Sequence, residues 1–98
     1  MAMDMTSAWQ EFFRKWPAEL ERRGVIVTAF AEQIPFDGFA TSQHLLLLER
    51  KIPDTMGARK ILLSYDQILA VKITDVVKIK AFHSLGFEEP GAKRSGVT

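Results

Sequence analysis

The sequence predicts a mainly β domain that begins with an amphipathic α-helix. Near the N-terminus, aromatic side chains recur at spacings of three and four residues, which is the period of one helix face. After residue 24 the period changes to two and β-branched residues become frequent, in short segments separated by turn residues. The chain has 98 residues, the length of one domain. We therefore expect a single domain over residues 1–90, with one helix followed by five strands.

Composition excludes several classes of protein. Apolar residues make up 47% of the chain and charged residues 26%, which is typical of a folded globular domain. The formal net charge of +1 excludes a strongly basic nucleic-acid clamp and an acidic tail protein. The chain has no cysteine, which excludes disulfides, thiolate metal sites and a cysteine nucleophile.

The sequence does not predict a membrane partner. Its longest apolar run is the four leucines at residues 45–48, far short of the roughly 20 residues that span a bilayer. Residues 1–6 lack the basic start of a secretory signal, and charged residues interrupt the segment that follows. A cytoplasmic location is therefore expected.

Residues 7–23 are predicted to form the helix. Its apolar stripe consists of Trp9, Phe12, Phe13, Trp16 and Leu20. Pro17 disfavours helical geometry at the preceding residue and lacks a backbone donor, so we expect a kink or a second short helix that opens with Pro17. Gly24 is expected to end the helix in a left-handed conformation. The stripe is expected to cover one end of the β-structure or to contact another subunit, with a membrane interface as the weaker alternative.

The five predicted strands are residues 25–30, 33–41, 44–51, 58–64 and 68–74. Pro35 cannot donate to a strand ladder, so it is expected at an edge or a bulge. Asp37 and Gly38 fit either a hairpin turn or a bend inside one long strand. Residues 53–57 are predicted to form a loop, and residues 65–67 a tight turn before the last strand.

The C-terminal part of the chain divides into two. Residues 75–89 contain too many apolar side chains for a free tail, so they either extend the last strand or pack as an arm. Residues 91–98 have no periodicity, and we predict that they are disordered.

This order of elements resembles the Sm-like family, which comprises the Sm, LSm and bacterial RNA-chaperone proteins, over about residues 9–75. In that family a glycine bends the second strand, and Gly38 matches it, so the resemblance favours the bend over the hairpin. Ile68 would anchor the barrel after the three-residue turn. The resemblance implies an N-terminal helix on a strongly bent, five-stranded, SH3-like open barrel that assembles into rings and binds RNA.

Candidate nucleic-acid contacts follow from the resemblance and from the basic residues. The family reads RNA with two loops, which here have the sequences Thr41-Ser42-Gln43-His44 and Tyr65-Asp66-Gln67 and lack the family's aspartate–asparagine and arginine–glycine signatures. By position, Gln43 and His44 are candidate contacts. The residues that would share one face of an extended strand as a phosphate-binding stripe are Lys72, Lys78 and Lys80. Lysines on an edge strand also discourage stray pairing, and that alternative stays open.

The sequence contains no set of residues typical of an enzyme or a metal site. His44 and His83 are its only histidines, and neither belongs to a metal-ligand motif. Residues 56–60 lack the spacing of a phosphate-binding loop. No hydroxyl is accompanied by an identifiable base and orienting group. We expect no enzymatic activity, no cofactor and no metal.

Self-association is the main functional prediction. An open barrel leaves two strand edges, and pairing the fourth strand with the fifth strand of a neighbour, head to tail, satisfies both. The edge residues concerned are Lys60, Ile61, Leu62, Leu63, Leu69, Val71 and Ile73. The first hypothesis is a ring-forming scaffold that binds RNA, and the alternative is a structural or protein-interaction oligomer that binds no nucleic acid.

Overall fold

A computed structural model describes residues 5–91 of the chain. Its elements are helix α1 (Met5–Arg14) and strands β1 (Gly24–Thr28), β2 (Gln33–Phe36), β3 (Gly38–Thr41), β4 (Leu45–Glu49), β5 (Lys60–Ser64) and β6 (Ile68–Lys72). A short 3₁₀ helix (Tyr65–Gln67), here the turn helix, joins β5 to β6, and a C-terminal 3₁₀ helix covers Ile79–Leu85. Apart from Gly91, the predicted disordered tail at residues 91–98 lies outside the described residues.

The strands of residues 5–91 form two antiparallel sheets. One has the strand order β2-β1-β6 and the other β3-β4-β5. The prediction of a mainly β fold with an N-terminal helix is therefore confirmed. The described part of the chain has six strands rather than five, and no barrel closes there, because β5 and β6 pair with β4 and β1 but not with each other.

The sixth strand arises because the predicted second strand is divided at Asp37. β2 pairs with β1 and β3 pairs with β4, so Asp37 and Gly38 form a bend and not a hairpin turn. The Asp37 N–H donates to the carbonyl oxygen of Glu49 at 2.7 Å, and its carboxylate accepts from the Lys51 N–H at 2.9 Å. Gly38 lies at this bend, but its φ is not positive, so the bend does not depend on a left-handed glycine. Pro35 lies in β2, at the edge of its sheet, as predicted.

The helix is shorter than predicted. It ends at Arg14 instead of residue 23, and no second helix starts at Pro17. The restriction that Pro17 places on its predecessor stops the helix, and a single turn follows in which the Leu20 N–H donates to the Pro17 carbonyl oxygen at 3.1 Å. Gly24 consequently starts β1 and does not cap a helix, so that prediction is wrong.

The first strand also ends early, at Thr28 instead of Phe30. The Thr28 hydroxyl accepts from the N–H groups of Phe30 and Glu32, both at 3.2 Å, and Ala31 has a φ of 67°. This turn, which the Thr28 side chain caps, takes the place of the last two residues of the predicted strand. Phe30 therefore stands at the tip of the β1–β2 turn, where it is 84% exposed.

The core lies between the two sheets and under α1. Its buried members are Phe13, Ile26, Ile34, Phe36, Leu46, Leu48, Tyr65 and Ile68. Phe13 carries α1 into this cluster, where its ring is 5.1 Å from that of Phe39 and 6.3 Å from that of Phe36, both edge-to-face. Trp9, Phe12 and Phe13 thus form the packing face of α1, whereas Trp16 and Leu20 of the predicted stripe lie in the connection that follows the helix.

The segment after β6 forms an arm and does not continue the strand. Asp75 ties its start to the α1–β1 connection, since its carboxylate accepts from the Glu21 N–H at 2.8 Å and from the Arg23 guanidinium at 3.2 Å. Ala81 is buried on the C-terminal 3₁₀ helix, which ends at Leu85 and is followed by Gly86 in the left-handed conformation. The described residues include no helix with the length and apolarity of a membrane span.

Candidate functional site: two free strand edges, a groove and a loop cluster

β5 presents one unpaired backbone edge among the described residues. The Arg50 N–H donates to the Arg59 carbonyl oxygen at 2.9 Å, immediately beyond the β4–β5 ladder. Along an antiparallel ladder, opposite residues that exchange backbone hydrogen bonds alternate with opposite residues that do not. Because Arg59 is bonded to Arg50, Ile61 and Leu63 are also bonded to their β4 partners. The residues whose N–H and C=O groups point to the free edge are Lys60, Leu62 and Ser64.

β6 presents another such edge within residues 5–91, where β2 and β3 are the remaining edge strands of the two sheets. The Thr28 N–H donates to the Glu32 carbonyl oxygen at 2.9 Å, so the even-numbered residues of β1 bond to β2 and Val27 bonds to Ala70 in β6. Val71, and Ile73 beyond the strand end, consequently direct their backbone groups away from β1. The pairing is irregular beside Leu69, where the register shifts.

The predicted edge residues differ in exposure. Leu62 and Leu69 are 67% and 66% exposed, which is unusual for leucines in strands. Lys60 is exposed and lies 3.5 Å from the Glu49 carboxylate, a surface ion pair of small energetic weight. The half-buried members are Ile61, Leu63, Val71 and Ile73. The two free edges therefore each carry one exposed leucine.

An apolar groove of about 570 Å³ lies between α1, β6 and the C-terminal 3₁₀ helix. Val71 and Ile73 form its β6 side, Trp9 and Phe12 its α1 side, and the C-terminal residues that line it include Phe82, Leu85 and Phe87. The titratable side chains in its wall, Glu11 and Lys15, form an ion pair at 2.7 Å that holds the pKa of Glu11 below its usual range. The groove was not predicted, because it requires the arm to fold back beside α1.

A cluster of loops surrounds the turn helix. Its Gln67 carbonyl oxygen accepts from the Ala29 N–H at 2.8 Å, next to Phe30. Its Tyr65 hydroxyl donates to the Ser42 carbonyl oxygen at 3.2 Å, in the β3–β4 loop. Burial raises the pKa of Tyr65, which keeps this hydroxyl a donor. The turn helix is therefore hydrogen-bonded both to the β1–β2 turn and to the β3–β4 loop.

The predicted contacts Gln43 and His44 lie in this β3–β4 loop, and both are exposed. The Gln10 side-chain amide of α1 donates to the carbonyl oxygens of Ser42 at 3.2 Å and Gln43 at 2.8 Å. These bonds use only the loop backbone, so the side chains of Gln43 and His44 stay exposed to solvent. Phe30 is an exposed aromatic side chain on the β1–β2 turn. The sequence pattern did not identify it as a candidate contact, because it predicted that Phe30 lies within a strand.

Asp66 stands in the same cluster on the turn helix. Its carboxylate accepts from the Ser64 hydroxyl at 2.7 Å, and it is exposed. A negative charge at this point opposes phosphate groups and limits how nucleic acid can approach.

The predicted lysine stripe does not form on one strand. Lys72 ends β6 and its ammonium group donates to the Gln33 side-chain oxygen at 3.2 Å. The chain then leaves the sheet, so Lys78 precedes the C-terminal 3₁₀ helix and Lys80 lies within it. The three lysines could share one face only if β6 continued to Lys80, and it ends at Lys72.

No three side chains of the types that bind metals come together within residues 5–91. Asp54, in the β4–β5 loop, accepts from the N–H groups of Met56 and Ala58, both at 2.8 Å, and these bonds hold its pKa below the usual range. That carboxylate therefore holds the β4–β5 loop closed.

Comparison with protein-family models, with curated proteins and with solved structures finds no match for this chain.

Proposed function

We propose that this protein is a non-enzymatic, Sm-like scaffold that assembles head to tail into a homo-oligomer, with β5 of one copy paired to β6 of the next. The observation that carries the proposal is that, of the four edge strands, β5 and β6 each combine unpaired backbone groups with one strongly exposed leucine. Exposed strand edges are normally covered, shortened or charged, and these two complement each other. A contact between two different edges closes into a ring when its rotation permits.

Three features support the finer Sm-like, open-barrel part of the proposal. One bent segment, β2 and β3, contributes to both sheets, and α1 packs on the core between them. The turn helix connects the last two strands, β5 and β6, whose free edges pair in the proposed assembly. Our proposal includes cytoplasmic action as a binding scaffold without cofactor or metal.

A proline on the β5 edge tests the assembly. The Leu62 N–H points to the free edge, so Leu62→Pro removes a donor needed by a neighbour and keeps the ladder with β4. We expect Leu62→Pro to retain the circular dichroism of the unmodified protein and to run in sedimentation velocity as a single chain of 11.1 kDa. Leu62→Lys, which places a charge in the same contact, should do the same.

The matched control is Thr41→Pro, a proline on the other edge of the same sheet. The Ser42 N–H donates to the Leu45 carbonyl oxygen at 3.0 Å, so by alternation the Thr41 N–H also points away from β4. Thr41→Pro should assemble like the unmodified protein. Assembly of folded Leu62→Pro and Leu62→Lys to the unmodified mass would contradict the proposed edge.

RNA binding is the second candidate function, and the loop cluster favours it. An exposed aromatic ring, an amide and an imidazole, from Phe30, Gln43 and His44, stand on loops that the turn helix holds together. Such rings stack on single-stranded bases, and amides hydrogen-bond to base edges. In a ring of several copies the cluster would be repeated.

Binding of single-stranded RNA by fluorescence anisotropy at two salt concentrations tests this candidate. We expect affinity to fall as salt rises, and Phe30→Ala to weaken binding about 5- to 100-fold, as loss of one stacking partner does. Met56→Ala, which removes an equally exposed apolar side chain from the β4–β5 loop, is the control. Absence of binding at low salt would leave the alternative, an oligomer that acts through protein contacts alone.

A further inference from the structure

We propose that the groove between α1, β6 and the C-terminal 3₁₀ helix is the socket for Leu62 of a second copy of this chain. This inference rests on the proposed head-to-tail assembly and names the site at which two copies interlock. One contact would then account for both an exposed leucine on β5 and an open apolar groove beside β6.

The positions of the unpaired backbone groups along the two edges determine which side chain enters the groove. In an antiparallel pair, residues that exchange both backbone bonds lie directly opposite each other, and their side chains share one face. Leu62 offers its backbone groups at the β5 edge, and Val71 and Ile73 offer theirs at the β6 edge. Antiparallel addition of β5 therefore brings Leu62 of one copy opposite Val71 or Ile73 of the next.

The face that they share is the one that the groove occupies. Val71 pairs with Ile26, which is fully buried, so Val71 lies on the core side of its sheet. Val71 and Ile73 both line the groove, and α1 and the arm form its other walls. A leucine presented on this face enters the groove, whereas a parallel strand would place Leu62 on the opposite face, beside Ala70 or Lys72.

Charges flanking the two surfaces are complementary. Lys60 precedes Leu62 by two residues and therefore lies on the same face of β5. Glu88 and Glu89, both exposed, directly follow the groove-lining Phe87. Lys60, which is paired with Glu49 of its own chain at 3.5 Å, would then approach a groove whose margin carries these two glutamates.

Double cysteine variants test the socket, because the chain has no cysteine of its own. Ser84 lines the groove and is exposed, so Ser84→Cys places a thiol there with little change in size. We expect Leu62→Cys/Ser84→Cys, treated with a short bifunctional thiol cross-linker, to give a ladder of covalent multimers spaced by 11.1 kDa on a denaturing gel.

The matched control is Leu63→Cys/Ser84→Cys, which moves the β5 thiol by one residue to the other face of the strand. It should give at least about tenfold less multimer, and Ile61→Cys replaces Leu63→Cys if that variant does not fold. An equal yield of multimers from the control would overturn the socket. If the Leu62→Cys/Ser84→Cys variant gives no multimers while light scattering still shows an oligomer, the socket is also wrong, although the proposed assembly survives. A protein that is monomeric in light scattering would overturn both.

Discussion

Replacing Phe13 with alanine is expected to lower the free energy of unfolding by about 3–5 kcal/mol, the usual cost of deleting a buried aromatic ring. Phe13 is 2% exposed, and its ring packs edge-to-face on those of Phe36 and Phe39. α1 ends at Arg14, so its attachment to the sheets depends strongly on this side chain. A loss of this size is a large fraction of the total stability of about 5–15 kcal/mol of a small domain.

Chemical denaturation followed by circular dichroism measures this effect, at equal chain concentration because assembly contributes to apparent stability. Phe30→Ala is the control of the same residue type, and it should change the free energy by less than about 0.5 kcal/mol, as exposed substitutions do. If Phe13→Ala does not fold, Phe13→Leu should fold and lie between the two. A cost below about 1 kcal/mol for Phe13→Ala would show that α1 does not close the core.

Gly24→Ala is expected to destabilise the protein by about 2–3 kcal/mol, the cost of forcing an extra carbon into a packed site. A Cβ at Gly24 would lie 2.5 Å from the Lys72 carbonyl oxygen and 3.3 Å from the Phe36 ring. The first of these is a backbone atom of β6, so relief requires β1 and β6 to separate. The same denaturation experiment measures the loss.

Gly38→Ala is the matched control for Gly24→Ala. A Cβ at Gly38 would meet only the Glu49 side chain, at 3.1 Å from Oε1, and that exposed side chain can move. With no positive φ to strain, Gly38→Ala should be neutral or should stabilise the protein by up to about 1 kcal/mol. If Gly38→Ala were the more damaging of the two, the bend would depend on glycine after all.

These two glycines illustrate what the sequence could and could not predict. A glycine after an aspartate between apolar residues fitted either a hairpin turn or a bend, the family resemblance favoured the bend, and the strand pairing shows a bend. The sequence could not show that Gly38 adopts ordinary strand geometry while Gly24 has no room for a side chain. Close approach of two strands is a tertiary property, and no local pattern encodes it.

The helix and the arm show the same limit. Spacing correctly predicted that Trp9, Phe12 and Phe13 share one face of α1. The end of the helix before Pro17 depended on whether packing could offset the lost hydrogen bond, and it does not. For the candidate site, the predicted open barrel indicated free edges on its last two strands, which are β5 and β6. The sequence could not reveal the exposed Phe30 tip or the groove, since both depend on turns that end strands early and fold the arm back.

The molar mass of the unmodified full-length chain in solution is the most direct test of assembly through the β5 and β6 edges. Light scattering during size exclusion, repeated over a range of micromolar concentrations, should give a single species whose mass corresponds to several copies of the 11.1 kDa chain. A mass of one chain throughout that range would contradict head-to-tail pairing of these edges.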